Sequence, residues 1–344
     1  MRAPAPELPP RSEAHEPPEA RGLRRDEVRL MVAGRHDGSI AHARFEALPS
    51  LLVAGDLLVV NTSATLPAAL SATREGGTAL ELRLSTLAPH SEAGNWWRVE
   101  LRLGGSPFRG ARVGEVLSLP AGGRAEILAP FAGGARLWLA RLGLPDPVEA
   151  YLHRHGRPIR YRYVPREWPL EAYQNAYALQ PGSAEMASAG RPFTPELVTA
   201  LAARGIQMAP LVLHTGVSSP ERHEAPYPER YRVPAPTARL VNAVHHWGGR
   251  VIAVGTTVSR ALESVAEPGG AVTAGEGWTN LVVTPERGLW AIDGLITGWH
   301  EPEASHLELL RTAAGDELLH RCYRSARERG YLWHEFGDSH LILP

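Results

Sequence analysis

Between Ala79 and Arg141 the sequence breaks into four short runs in which apolar and polar residues alternate: Glu81 to Leu84, Trp97 to Leu103, Ala125 to Leu128 and Ala135 to Ala140. Glycine-rich turns separate them, and no helical period intervenes. A period of two puts successive side chains on opposite faces of a strand, so each run has one face to bury. Short half-buried strands joined by tight turns imply a small antiparallel barrel or sandwich. The flanking sequence reads differently. Strand-like runs at Leu30 to Ala33 and Leu57 to Val60 precede the block, and strand alternates with helix from Phe193 onward. That alternation argues a parallel α/β core. The expected fold class is therefore α/β: a largely parallel α/β core domain with an inserted small antiparallel β-barrel domain. The expected division is a disordered, proline-rich tail over residues 1–20, an α/β catalytic domain over 21–70 and 151–344, and the inserted barrel over 71–150.

Composition removes several chemistries. All 36 basic residues are arginine and none is lysine. Schiff-base catalysis, pyridoxal phosphate anchoring and a Walker-type phosphate loop each need a lysine amine, so none is available. A single cysteine, Cys322, excludes an intrachain disulfide and a multi-cysteine zinc site. Its helical setting, H-R-C-Y-R, reads as a packed small residue. With 344 residues, 44% hydrophobic and 21% charged, the chain has room for two domains and a sizeable core. No apolar run reaches the ~18 residues of a membrane span and no hydrophobic leader opens the chain, so a soluble, cytoplasmic protein is expected. A net charge of −1 makes no global case for nucleic-acid binding, though a local patch can.

The most informative stretch is R-V-I-A-V-G-T-T-V-S-R-A-L-E-S-V, Arg250 to Val265. An apolar, β-branched run ends at Gly255, and Thr256-Thr257 open a helix that carries Ser259, Arg260 and Glu263. A strand, a glycine turn and a helix N-terminus with unsatisfied N–H groups suit an anionic or carboxylate ligand; the same pattern also describes an ordinary βα corner capped by threonine. Thr194-Pro195-Glu196 predicts another helix start, and Thr237 a further cap. Asn280 to Val283 and Leu289 to Ile292 read as strands. From Tyr151 to Trp168, Arg154, Arg157, Arg160, Arg162 and Arg166 alternate with aromatic residues. Guanidinium forks match phosphates and aromatic faces stack on bases, so this patch is either an RNA contact or an edge strand with a solvated arginine face. Small residues dominate Glu171 to Thr194, which permits close backbone approach either to a ligand or in a tight crossover. His214, His300, His340, Glu229, Glu263 and Asp338 lie near strand ends or glycine turns, as acid–base groups would. No i, i+4 histidine pair is present, so no metal site is expected.

These segments, in order, resemble the S-adenosylmethionine:tRNA ribosyltransferase-isomerases of queuosine biosynthesis. D-L-L-V-V-N-T-S-A-T-L-P-A-A-L from Asp56 is similar to the family's D-x-L-V-x-N-D-T-x-V-I-P-A-R-L. Y-Q-N-A-Y-A…P-G-S-A-E-M-A-S-A-G-R-P-F-T is similar to Y-Q-T-V-Y-A…G-S-x-A-A-P-T-A-G-L-H-F-T. A-V-G-T-T-V-S-R-A-L-E-S resembles A-V-G-T-T-S-V-R-T-L-E-S, and D-G-L-I-T-G-W-H-E-P-E-A-S resembles D-G-L-I-T-N-F-H-L-P-x-S-T. Gly337-Asp338 with Leu341 to Leu343 resembles the terminal G-D-A-M-L-I-L.

The resemblance implies that S-adenosylmethionine is a co-substrate giving up its ribosyl group, with no metal. The acceptor it implies is the aminomethyl group of a 7-aminomethyl-7-deazaguanine in tRNA, and the product epoxyqueuosine, with loss of adenine and methionine. A sulfonium beside the ribose acidifies the adjacent C–H, so such a site needs a base. Glu229, His300 and Asp338 are the catalytic candidates. The donor-binding candidates are Tyr173, Gln174, Gly182, Ser183, Thr194, His214, Gly255, Thr256, Thr257, Arg260 and Thr297. The arginines of the 154–166 patch are the expected tRNA contact, and a monomer is expected. The chain also departs from the pattern. Ala69 replaces an arginine, Thr62 an aspartate and Tyr227 a histidine, while changes in the small-residue segment place Glu185 and Arg191 in the expected site. Two rival readings follow: the same donor with a different, small-molecule acceptor, or a catalytically silent RNA-binding relative.

Overall fold

In the computed structural model, which describes residues 13–89, 91, 95–131, 136–217, 227–299 and 306–344, nine strands make one sheet. Their order is Gly275–Thr279, Glu229–Val233, Gln207–Leu213, Leu57–Asn61, Val251–Val254, Gly294–Gly298, Ser339–Leu343, Arg29–Gly34, Ile40–Arg44. The four strands from Gln207–Leu213 to Gly294–Gly298 run parallel. Both flanks turn antiparallel, apart from a parallel pair between Arg29–Gly34 and Ser339–Leu343. The sheet is thus parallel through its centre and antiparallel toward its edges. Arg29–Gly34 and Ile40–Arg44 are joined by too short a turn for the helical crossover that a parallel pair needs.

The central strands are buried on both faces. Leu57 and Val59 enter one apolar cluster with Val241, Leu262, Leu310 and Cys322, whereas Leu58 and Val60 enter another with Phe45, Phe193 and Leu201. Val251 and Ala253 part from Ile252 and Val254 in the same way, as a two-residue period requires. Helices Ala235–His246, Thr256–Glu263, His306–Ala314 and Asp316–Glu328 cover the first face, and Pro195–Ala203 covers the second. Burial pushes the Cys322 thiol up to about 12, as suits a packing residue.

Six strands close into the expected antiparallel barrel: Ala69–Thr73, Ala79–Leu87, Trp96–Leu103, Leu137–Gly143, Arg124–Pro130 and Val116–Ser118. Leu137–Gly143 pairs back onto Trp96–Leu103, and Thr73 meets Ser118. Inside lie Leu70, Leu82, Val99, Leu101, Leu117 and Ile127, and the same cluster takes in Leu66, Tyr151, Leu152 and Ile159. The packed unit is therefore wider than residues 71–150. Its outer wall docks on the core, where Arg98 Nη1 donates to Pro228 O at 2.6 Å.

Four local expectations change. Asn280–Val283 and Leu289–Ile292 are not strands; the edge strand is the glycine-rich Gly275–Thr279, held by its ladder with Glu229–Val233 despite poor β-propensity. Thr237 lies inside the helix that begins at Ala235, and its hydroxyl donates to Pro210 O at 2.6 Å. The arginine patch opens within helix Val148–His155 and continues as a loop, so it is not an edge strand. Residues 13–20 are packed rather than loose: Ala14 is buried with its N–H 3.1 Å from Trp333 O, and Glu19 pairs with Arg191 at 2.8 Å. Residues 1–12 of the expected tail lie outside the described residues. Thr194 caps its helix as expected, accepting from Leu197 N at 3.1 Å.

Candidate active site

Gly255 turns the chain from Val251–Val254 into Thr256–Glu263 at φ +100°, in the region that favours glycine. A Cβ there would sit 3.3 Å from the Ala189 Cβ, so the small-residue crossover lies directly over the turn. The first-turn N–H groups have no acceptor within the helix and open onto a cleft of about 240 Å³. Gly255, Thr256, Thr257, Arg260 and Thr297 line it from the sheet, Glu185 to Ala189 from the crossover, Thr86 from the barrel, and Tyr161, Tyr163, Tyr173, Tyr227, His334 and Glu335 from loops.

Of the donor-binding candidates, Gly255, Thr256, Thr257, Arg260, Thr297 and Tyr173 face this cleft, as does the catalytic candidate Glu229. Arg260 and Glu229 form an ion pair; Arg260 also donates to Leu281 O and Thr279 O at 3.1 Å, and Glu229 accepts from Gly216 N at 2.8 Å. The guanidinium therefore fixes Glu229 and the edge strand at the mouth of the site.

Others stand behind the wall. Ser183 bonds Ser63 Oγ at 2.6 Å and accepts from Thr215 N at 3.0 Å, while Ser63 also meets His214 Nδ1 at 2.7 Å. Gly182 has no room for a side chain, since a Cβ would lie 2.5 Å from the His214 ring. Burial, then Arg230 and Arg232, push His214 down to about 4, so it is neutral in ordinary buffers. Gln174 holds the Thr65 backbone through both its N–H, at 3.0 Å, and its carbonyl, at 2.8 Å. Thr194 serves as a helix cap outside the cleft.

Asp338 is not brought to the cleft either. It accepts from Arg29 N at 2.8 Å, Arg29 Nη2 at 2.7 Å and Leu332 N at 2.8 Å, and sits beside a separate small crevice with Arg191. Glu263 is buried against Arg287 and the N–H groups of Trp290 and Ala291. His340 stacks on Trp299 at 4.8 Å, and burial pushes it down to about 3. His300 lies outside the described residues.

Glu185 lies in the cleft as the sequence suggests, but sequence reasoning missed Glu335, His334 and the inward-facing Tyr161 and Tyr163. Tyr161 donates to Glu185, and Tyr163 Oη donates to Glu335 Oε2 at 2.7 Å. The two tyrosine rings stack at 5.8 Å, and Tyr163 stacks on His334 at 4.0 Å. Burial, with a further push from the Glu185 charge, raises the Glu335 carboxyl to about 7, while burial lowers His334 to about 4. A signal was available in the Arg-Tyr alternation of residues 160–163, which turns Tyr161 and Tyr163 inward. Among the described residues no cluster of histidine, cysteine or acidic side chains is arranged to hold a metal ion, and no helix is long and apolar enough to cross a membrane.

A mixed α/β sheet whose glycine-turn helix opens onto a cleft walled by a closed β-barrel places this chain among two-part α/β enzymes. The match to known proteins is specific. A family model described as queuosine biosynthesis protein covers residues 6–342, and the chain belongs to that family. Relatives named S-adenosylmethionine:tRNA ribosyltransferase-isomerase include one from Moorella thermoacetica, 37% identical over 98% of both chains. Another, from Thermus thermophilus, is 37% identical over 98% of this chain and 97% of its own. The crystal structure of S-adenosylmethionine tRNA ribosyltransferase from Thermotoga maritima superposes with a TM-score of 0.54 at 29% identity, covering 98% of this chain and 99% of that one.

Proposed function

We propose that the chain transfers the ribosyl group of S-adenosylmethionine to a 7-aminomethyl-7-deazaguanine in tRNA, giving epoxyqueuosine and releasing adenine and methionine. The observation that carries this reading is the first turn of Thr256–Glu263 at the cleft, roofed by a crossover of small residues. A carboxylate such as that of the methionine moiety meets the N–H groups and hydroxyls of Thr256 and Thr257 there, and the helix dipole favours its charge. Arg260 contributes by holding Glu229 and the edge strand in place.

The tRNA contact is assigned to the arginine loop. Arg157, Arg160 and Arg162 line a groove of about 430 Å³ with Arg83 and Arg102, and Tyr161 lines both this groove and the cleft. A backbone bound there leads a nucleotide toward the donor. Arg162 is exposed, whereas Arg154 pairs with Asp146 at 2.6 Å, Arg166 with Glu16 at 2.8 Å, and Arg160 donates to Pro165 O at 2.7 Å. Arg157 is shared between Glu81 and Glu167, each at 3.8 Å, so Arg162 carries most of the assignment. The protein is read as a monomer working in the cytoplasm, and the barrel as a unit inserted into the catalytic domain.

The test is adenine release from S-adenosylmethionine by the purified protein, with and without tRNA carrying the aminomethyl-deazaguanine. Release that requires this tRNA is expected. Intact binding of S-adenosylmethionine with no release on adding the tRNA refutes the reading.

A further inference from the structure

Two carboxylates reach the cleft from different parts of the chain, Glu185 from the small-residue crossover and Glu335 from the turn before Gly337. Glu185 stands where the family pattern G-S-x-A-A-P-T carries an alanine. Each acid accepts a tyrosine hydroxyl, Glu185 from Tyr161 and Glu335 from Tyr163. Those two rings are stacked, at 5.8 Å and 16°, and Glu335 feels the charge of Glu185.

Above about pH 7 the ionised Glu335 adds its charge to this wall. Both phenols are pushed well above their ordinary value, chiefly by burial, so they remain donors. His334, which stacks on Tyr163, is held neutral. Arg191, whose charge Glu335 also feels, is committed to Glu19 at 2.8 Å and Ala172 O at 2.9 Å. Paired carboxylates over aromatic rings are a receptor for an organic cation.

We propose that Glu185 and Glu335 form the subsite for the protonated primary amine of the acceptor, and that Glu335 takes the proton which must leave before that nitrogen can attack. The inference rests on the acceptor reading above. An ammonium has no lone pair. In the proposed step one N–H bond breaks with its electron pair left on nitrogen, and an O–H bond forms on Glu335. One cation and one anion become two neutral groups, so charge balances. Glu185 holds the ammonium and tunes Glu335. A carboxyl ionising at about 7 is matched to this exchange at neutral pH.

The experiment uses the full-length enzyme and the same modified tRNA, following single-turnover adenine release against pH, with S-adenosylmethionine affinity from calorimetry. Wild-type release is expected to rise through about pH 7 along one ionisation. Glu335→Gln is expected to slow release by roughly 100-fold or more, abolish that limb and leave donor affinity unchanged. Tyr163→Phe removes a hydrogen bond that favours the ionised acid, so the limb moves to higher pH; Glu185→Gln removes a like charge and moves it lower. A Glu335→Gln enzyme that releases adenine at the wild-type rate with the limb intact overturns the subsite alone. A wild-type enzyme that releases none with this tRNA overturns the acceptor reading, and the subsite with it.

Discussion

Glu335 offers a test of the cleft that needs no substrate. Its carboxyl ionises at about 7 in the folded protein against 4.5 when unperturbed. Below 4.5 it is protonated in both states; between 4.5 and about 7 only the unfolded chain ionises, so raising the pH favours unfolding. At about 1.4 kcal/mol per pH unit, ionisation costs the native state up to about 3 kcal/mol once the pH exceeds 7. Glu335→Gln keeps the shape and removes the ionisation. The variant is expected to gain stability relative to wild type as the pH rises from about 5 to about 8, approaching that ceiling. Calorimetric melting shows the gain as several degrees, given about 2–4 °C per kcal/mol in domains of 150–250 residues. If wild type and Glu335→Gln melt with parallel pH dependence, Glu335 is not buried among the groups described and the reasoning fails.

Arg260→Ala releases Glu229 and two carbonyls at the cleft mouth. It is expected to weaken S-adenosylmethionine binding by about tenfold or more in calorimetry while the far-UV spectrum stays native; unchanged binding removes Arg260 from the donor site. Gly337→Ala drives a Cβ to 2.4 Å from Leu332 O and 2.7 Å from the Trp333 carbonyl. Neither is a flexible side-chain end, so a loss of at least about 1–3 kcal/mol is expected in urea unfolding, and a neutral result refutes the packing of that turn. Arg162→Ala is expected to reduce the slope of log K for tRNA against log salt by about 1, with donor binding unaffected. An unchanged slope takes that arginine out of the RNA path.

What could be read from the sequence divides along a physical line. The Val251–Val254 strand, the Gly255 turn and the Thr256 helix were legible because each is specified locally, by β-branched residues and then by a residue that tolerates φ +100°. Barrel strands were legible from their alternation. Gly275–Thr279 was not, because its glycines are poor strand formers and only the ladder with Glu229–Val233 makes it one. Thr237 looked like a cap, yet Pro234-Ala235-Pro236 had already started the helix. Half of the cleft was hidden for a related reason. Glu335 and Tyr163 are 172 positions apart and meet only because the barrel's exit loop folds against the turn before Asp338. No local pattern announces such a pair. Asp338 reads as an acid–base group from its place beside a glycine, but its charge is spent on Arg29 and the Leu332 N–H.

The sheet also sets a timetable for the chain's assembly. Arg29–Gly34 lies between Ile40–Arg44, a hairpin partner made at once, and Ser339–Leu343, made about 300 residues later. At about 5–20 residues per second of synthesis, that side of the first strand stays without its native partner for roughly 15–60 s. Throughout that interval its backbone groups form an open template of the kind that recruits foreign strands. Yield in a foreign host should accordingly depend on how fast the message is read and on chaperone capacity more than on the stability of the finished molecule. A message that is read quickly and a supply of holdase are the levers to try.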